Sequence, residues 1–136
     1  MKYLLDTCVI SDFVKGMPAV STRLLSIPPF EVALSSITMM EIEYGLLLNK
    51  NRARKLRKPL EALLQSVHLL PFTKEDAQTV ADIRAFLKTK GQPIGAYDLL
   101  IAGCAKSRRL ILVTSNTSEF ERVEDLEIEN WRTPLP

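Results

Sequence analysis

The chain is 136 residues long, with 46% hydrophobic and 25% charged residues, which fits one globular domain and excludes a disordered, collagen-like or disulfide-built chain. Its net charge of +2 neither announces nor excludes a nucleic-acid binder. Cys8 and Cys104 lack CxxC spacing, no signal-peptide pattern opens the chain, and no apolar run approaches the roughly 18 residues of a membrane span, so a cytoplasmic domain without membrane attachment is expected.

Tyr3–Leu5 reads as a buried strand feeding a helix on which Val9, Ile10 and Phe13 recur at helical spacing, with Gly16 as the stop. Pro18 opens a second helix carrying Val20, Leu24 and Leu25, and Phe30–Leu34 is the second strand. Thr38-x-x-Glu41 has capping-box spacing ahead of the apolar stretch Ile42–Leu48; a basic helix follows, then a short third strand at His68–Pro71. Thr73 to Asp76 repeats the capping-box spacing, and Ala77, Val80, Ile83 and Leu87 mark a buried stripe ending near Gly91. Beyond the turn at Gly91–Gly95 come a helix over Ala96–Ser107, a strand over Leu110–Val113, a helical turn over Asn116–Phe120 and a fifth strand over Leu126–Ile128. Strands alternating with helices predict an α/β domain over residues 1–131, on a central, mainly parallel five-stranded sheet flanked by helices, with 132–136 as a short fraying tail.

Ligands of open α/β sheets bind beyond the carboxyl ends of the strands. Asp6 stands there after strand one, Glu41 after strand two and Glu119 after strand four, while Asp98 opens a helix behind a glycine-bearing loop. Each of these acids also falls in the first turn or at the cap of a helix, where a carboxylate complements exposed N–H groups. Taken singly, Glu41 and Glu119 read as caps, and Asn116 to Glu119 has capping-box spacing. Asp98 resists that reading. It is the only charged residue between Ile94 and Ala105, and a carboxylate on so apolar a helix needs a partner, either a metal ion or a distant cation such as Arg84.

Clustered carboxylates repel unless a cation sits among them, and a hard divalent ion such as Mg²⁺ is the natural counter-charge. Metal-assisted attack of water on a phosphodiester is the chemistry that follows. The chain has no GxGxxG or Walker-type loop. Cys8 stands where an Asp-x-Asp phosphatase needs its second acid, and His68, the only histidine, reads as a packing or surface residue.

Leu5-Asp6-Thr7, the run from Ser36 to Glu41, Pro93-Ile-Gly95-Ala-Tyr-Asp98 through Ala102, and Val113-Thr114-Ser-Asn116-Thr-Ser-Glu119-Phe120 together resemble the PIN-domain ribonucleases, with the VapC toxins of toxin–antitoxin modules as the nearest likeness. The resemblance covers essentially the whole chain. It implies a Mg²⁺-dependent endoribonuclease (Mn²⁺ being an alternative ion), silenced by a cognate antitoxin, homodimeric, and acting on tRNA, with the anticodon region of initiator tRNA as the target. It places the metal-binding, catalytic acids at Asp6, Glu41, Asp98 and Glu119, supported by Thr7, Thr114 and Asn116. Two residues depart from the family pattern: Cys8 stands where Asn is usual, and Glu119 where many relatives carry Asp. The competing reading is a catalytically lapsed binding module that acts only through a protein partner.

The small net charge hides separated blocks. Lys50, Arg52, Arg54, Lys55, Arg57 and Lys58 form a basic block that is either solvated helix surface or a contact for RNA phosphates, and Lys106, Arg108 and Arg109 form a second candidate patch. Met39, Met40, Ile42, Tyr44, Leu46, Leu47 and Leu48 exceed what one helix face buries, so this stretch is either ordinary core or a surface for a second copy or an antitoxin helix.

Overall fold

The computed structural model describes residues 1–133. Strands β1 (Tyr3–Leu5), β2 (Val32–Ser35), β3 (His68–Leu70), β4 (Ile111–Val113) and β5 (Ile128–Glu129) form one sheet in the order β3-β2-β1-β4-β5, with every neighbouring pair parallel. The α/β fold with a five-stranded sheet is therefore as expected, and the sheet is parallel throughout.

Alternate residues of a strand face opposite sides of its sheet, and here both sides are apolar. Tyr3, Leu5, Val32, Leu34, Ile111 and Val113 join one core cluster; Leu4, Ala33 and Leu112 join the other. The first cluster is covered by α1 (Thr7–Val14), α2 (Pro18–Leu25) and α4 (Lys50–Ser66), through residues such as Ile10, Leu24 and Leu63. The second is covered by α5 (Lys74–Lys90), α6 (Ala96–Ser107) and α7 (Thr117–Phe120), through Leu87, Ile101 and Phe120. Helix α3 (Ser36–Leu48) spans the two, with Leu46 in the first cluster and Ile37 against the second. Full burial of a side chain such as Phe120 contributes about 2–3 kcal/mol, so these strands hold their places by packing despite their brevity.

Differences from the sequence reading lie at element ends. The second strand begins at Val32, because Pro28-Pro29 opens a 3₁₀ turn over Pro29–Glu31 that leaves Phe30 exposed. The fifth strand is only Ile128–Glu129. Helix α5 starts on the expected capping box, in which Thr73 and Asp76 exchange bonds, and stops at Gly91, whose φ of 64° suits glycine. Asp76 is fully buried and also binds Ser107 and Arg108. Burial pushes its carboxyl up, but the bonds from Ser107, the Thr73 N–H and Arg108 outweigh this and hold it below the usual range. Arg108 continues to the Pro71 carbonyl, so it fastens α6 to the end of β3 and does not belong to a free basic patch with Lys106 and Arg109. Cys104 is buried, and burial pushes its thiol up to about 11, as suits an inert core residue.

Arg132, first residue of the expected tail, is fastened instead: its Nε and Nη2 donate to Asp12 at 2.7 and 2.9 Å. Residues 134–136 of that tail lie outside the described residues.

Candidate active site

The strand order reverses at the centre of the sheet. From β1 the chain adds β2 and β3 on one side, then returns to add β4 and β5 on the other. The crevice beyond the carboxyl ends of β1 and β4 is thus the topological switch point, where open α/β sheets bind ligands. Asp6 emerges from β1 there, its N–H donating to the Val113 carbonyl at 2.9 Å.

Asp6 is buried and uses both carboxylate oxygens. Oδ1 caps α1 by accepting the Thr7 N–H at 2.8 Å, and Oδ2 accepts the Thr114 hydroxyl at 2.8 Å. Capping and site roles coexist here, because the cap needs only one oxygen.

Glu41 is not a cap. The N-cap of α3 is Ser35, whose Oγ accepts the Thr38 N–H at 3.1 Å, so the helix starts earlier than the Thr38 signal indicates. Glu41 therefore lies in the second turn, and its Oε1 accepts the Thr7 hydroxyl at 2.8 Å. Ser35 escaped the sequence reading because it ends a strand; Ser-x-x-Thr is a weaker helix signal than Thr-x-x-Glu.

Asn116 is likewise turned inward. Its side chain makes no cap bond to α7; Nδ2 donates to Glu119 Oε2 at 2.9 Å and to Asp98 Oδ2 at 3.3 Å. Its own N–H donates to Thr114 Oγ1 at 3.0 Å. One continuous chain of hydrogen bonds thus runs Glu41–Thr7–Asp6–Thr114–Asn116 and forks to Asp98 and Glu119. It joins all four candidate acids through the three candidate supporting residues. Arg84, the alternative partner for Asp98, is exposed and pairs with no acid among the described residues.

The electrostatics are those of a site short of positive charge. Burial first, then the facing Glu119 carboxylate and the charges of Asp6 and Glu41, push Asp98 up to about 7. The same pairing with Asp98, helped by Asn116, holds Glu119 below the usual range. None of the four acids forms an ion pair among the described residues. An all-oxygen donor set with unneutralised charge fits a hard divalent cation. No three described acidic, histidine or cysteine side chains form a ready-made metal cage.

Cys8 takes part in this network. Its Sγ accepts from the Ser115 N–H at 3.4 Å and the Ser115 hydroxyl at 3.3 Å, and donates toward Asp6 Oδ2 at 3.6 Å. The sequence alone did not single out Ser115, whose role depends on β4 lying beside β1.

The remaining candidates lie further out. All six cations of the basic block are exposed on α4, and Arg52 alone among them lines a groove of about 370 Å³ that runs from Thr7 and Glu41 between α1, α3 and α4. Arg57 also stands 3.9 Å from Glu61 one turn along. On α3 the ordinary-core reading holds for Leu46 but not for Met40, Tyr44, Leu47 and Leu48, which are 40%, 60%, 73% and 69% exposed. His68 is a surface residue beside the Phe30 carbonyl, as expected. No described helix is long and apolar enough to cross a membrane.

A parallel α/β domain with a carboxylate cluster at its switch point defines a class, and comparison with known proteins agrees. Residues 3–126 match the PIN domain model, and the chain belongs to the PIN-domain family. Its relatives there are VapC nucleases. It is 36% identical over 131 residues to the tRNA(fMet)-specific endonuclease VapC of Shigella flexneri, covering 96% of this chain and 98% of that one. Among solved structures it is similar to DNA-bound VapBC from Salmonella typhimurium (36% identity, TM-score 0.88, covering 96% and 98% of the two chains). It is also similar to FitAcB from Neisseria gonorrhoeae (34% identity, TM-score 0.84, 95% and 97%).

Proposed function

We propose that this PIN-domain nuclease is a Mg²⁺-dependent endoribonuclease toxin that cleaves tRNA and is restrained by an antitoxin bound to it. The observation that carries the reading is the bonded chain that gathers Asp6, Glu41, Asp98 and Glu119 at the switch point, with no cation paired to any of them among the described residues. These four acids would hold Mg²⁺, or Mn²⁺ in its place. Bound there, a divalent ion supplies the charge that activates water for in-line attack on a phosphodiester.

The protein's own residues do the positioning. Thr7 and Thr114 donate their hydroxyl protons to Glu41 and Asp6, which fixes the orientation of both carboxylates. Asn116 holds Asp98 and Glu119 together although both are acids, and burial with the neighbouring carboxylates pushes Asp98 up to about 7. Cys8 bonds to both Asp6 and Ser115, so the residue that departs from the family pattern still ties Asp6 to the segment after β4, which favours catalysis over the lapsed binding module.

Support for tRNA comes from the relatives in Shigella flexneri and Salmonella typhimurium, both named tRNA(fMet)-specific endonuclease VapC. For this chain we propose the anticodon region of initiator tRNA as the target and the cytoplasm as the setting. Lys50, Arg52, Arg54, Lys55, Arg57 and Lys58 would contact the RNA backbone, with Arg52 lining the groove that Glu41 also lines. The exposed α3 face and the adjoining groove supply apolar surface for a protein partner, the antitoxin, and for a homodimer. Mapping RNA ends after brief, controlled expression tests substrate and activity together: new ends confined to the anticodon region of one tRNA are expected, and an unchanged RNA population contradicts the reading.

A further inference from the structure

Arg132 leaves the fold on the same edge of the sheet as the four acids. Because all strands are parallel, their carboxyl ends share one rim: β1 delivers Asp6, β4 delivers Thr114 and Asn116, and β5, ending at Glu129, delivers Arg132. The exits of β4 and β5 lie side by side, with the Thr114 N–H donating to the Glu129 carbonyl at 3.0 Å.

The guanidinium is fixed in direction there. Asp12 is buried on α1, one turn beyond Cys8 and on the same helix face, and it takes Nε and Nη2 of Arg132 in a two-point pair. Cys8 in turn reaches Asp6 Oδ2 at 3.6 Å. Asp12 therefore holds the cation against the face of α1 that carries Cys8, one turn further along the helix. Nη1 makes no hydrogen bond among the described residues, and the side chain is 47% exposed. A guanidinium occupied along one edge by a carboxylate and free at the other is suited to a phosphate.

We propose that Arg132 binds a phosphate of the RNA strand beside the one that is cut. The inference rests on the ribonuclease reading and extends it. Arg52 approaches Thr7 and Glu41 on a different face of α1, so a strand crossing the acids from α4 toward the segment after β5 would meet a cation on each side.

The test uses full-length protein carrying Asp98→Asn, so that RNA is bound without being cut, and reads the anisotropy of labelled tRNA across a salt series. Arg132→Gln, which keeps hydrogen-bonding groups for Asp12, is expected to weaken binding several-fold and to reduce the slope of log K against log salt by about 0.7–0.9. Arg132→Lys is expected to keep the slope, which separates charge from fold, and a melting curve for each variant monitors folding. A lowered melting temperature with unchanged slope and affinity in Arg132→Gln would mean a purely structural tie and overturns the proposal. A parent protein that binds no RNA overturns the ribonuclease reading and this contact with it, whereas parent binding that the substitutions leave untouched overturns the contact alone.

Discussion

Thr114 Oγ1 donates a 2.8 Å hydrogen bond to Asp6 Oδ2, joining residues 108 positions apart across the boundary between β1 and β4. The same oxygen accepts the Asn116 N–H, so one hydroxyl sets both the central acid and the residue that holds Asp98 and Glu119. Thr114→Val keeps the shape and removes both bonds. It is expected to lower stability by about 1–3 kcal/mol, since buried partners are left unpaired. It is also expected to weaken Mn²⁺ binding, read by calorimetry, by about 10–100-fold. Parental Mn²⁺ affinity in a folded variant would contradict the role given to Thr114.

Burial and the surrounding acids oppose the charge on Asp98 and push its carboxyl up to about 7 from an ordinary 3.8. A carboxyl raised in the fold costs stability only where it is ionised in the unfolded chain: nothing below about pH 4, growing between pH 4 and 7, and full above pH 7. Asp98→Asn removes that cost. The metal-free variant is expected to melt several degrees above the parent at pH 8 and close to it near pH 4. An equal shift at both pH values would contradict the assignment.

The same proton opposes metal binding. Mn²⁺ affinity of the parent is expected to fall about tenfold per pH unit below pH 7, because the ion must displace it. Calorimetry between pH 5.5 and 8.5 reads this directly, and a flat profile would separate Asp98 from the metal site.

Much of this site is legible in the sequence, because acids at strand ends and polar residues near them are local features. What is not legible is which acid bonds to what. The Thr38 to Glu41 spacing suggests a cap, yet Ser35 takes that role because its extended backbone already turns from β2 into α3. Asn116 to Glu119 also has cap spacing, yet the Asn116 side chain turns inward and donates to Glu119 of its own helix and to Asp98 of α6. Ser115 and the Asp12–Arg132 pair depend on contacts spanning more than a hundred residues, fixed by the strand order. The α3 stretch is another case: its apolar run leaves core and partner surface both open, and the fold divides it, burying Leu46 and leaving Met40, Tyr44, Leu47 and Leu48 exposed.

Cys8 offers a gentler probe of the same network. Cys8→Ser retains a donor and acceptors toward Asp6 and Ser115, and is expected to keep stability and Mn²⁺ affinity near the parent's. Cys8→Ala strips the Ser115 N–H and hydroxyl of their acceptor, at an expected cost of about 1 kcal/mol in thermal melts, with weaker Mn²⁺ binding. Alanine and serine variants alike in both measurements would show that the thiol does nothing for the site.

Helix packing away from the site has its own test. A Cβ at Gly103 would run into Val80 Cγ2 and come within 3.2 Å of the Asp76 carbonyl, so α5 and α6 meet this closely only over a glycine. Gly103→Ala is expected to destabilise by about 1–3 kcal/mol in denaturant unfolding while leaving Mn²⁺ affinity unchanged. A neutral effect would mean that α5 gives way more easily than its buried Asp76 anchor suggests.

The most direct measurement is cleavage of purified tRNA by the purified protein, with and without Mg²⁺, with chelator, and with Asp98→Asn alongside. Site-specific cleavage that requires the divalent ion, stops with chelator and is lost in Asp98→Asn is the expected result. Cleavage that persists unchanged in the variant or under chelation, or no cleavage of any tRNA with Mg²⁺ present, would contradict a metal-dependent ribonuclease site built on these four acids.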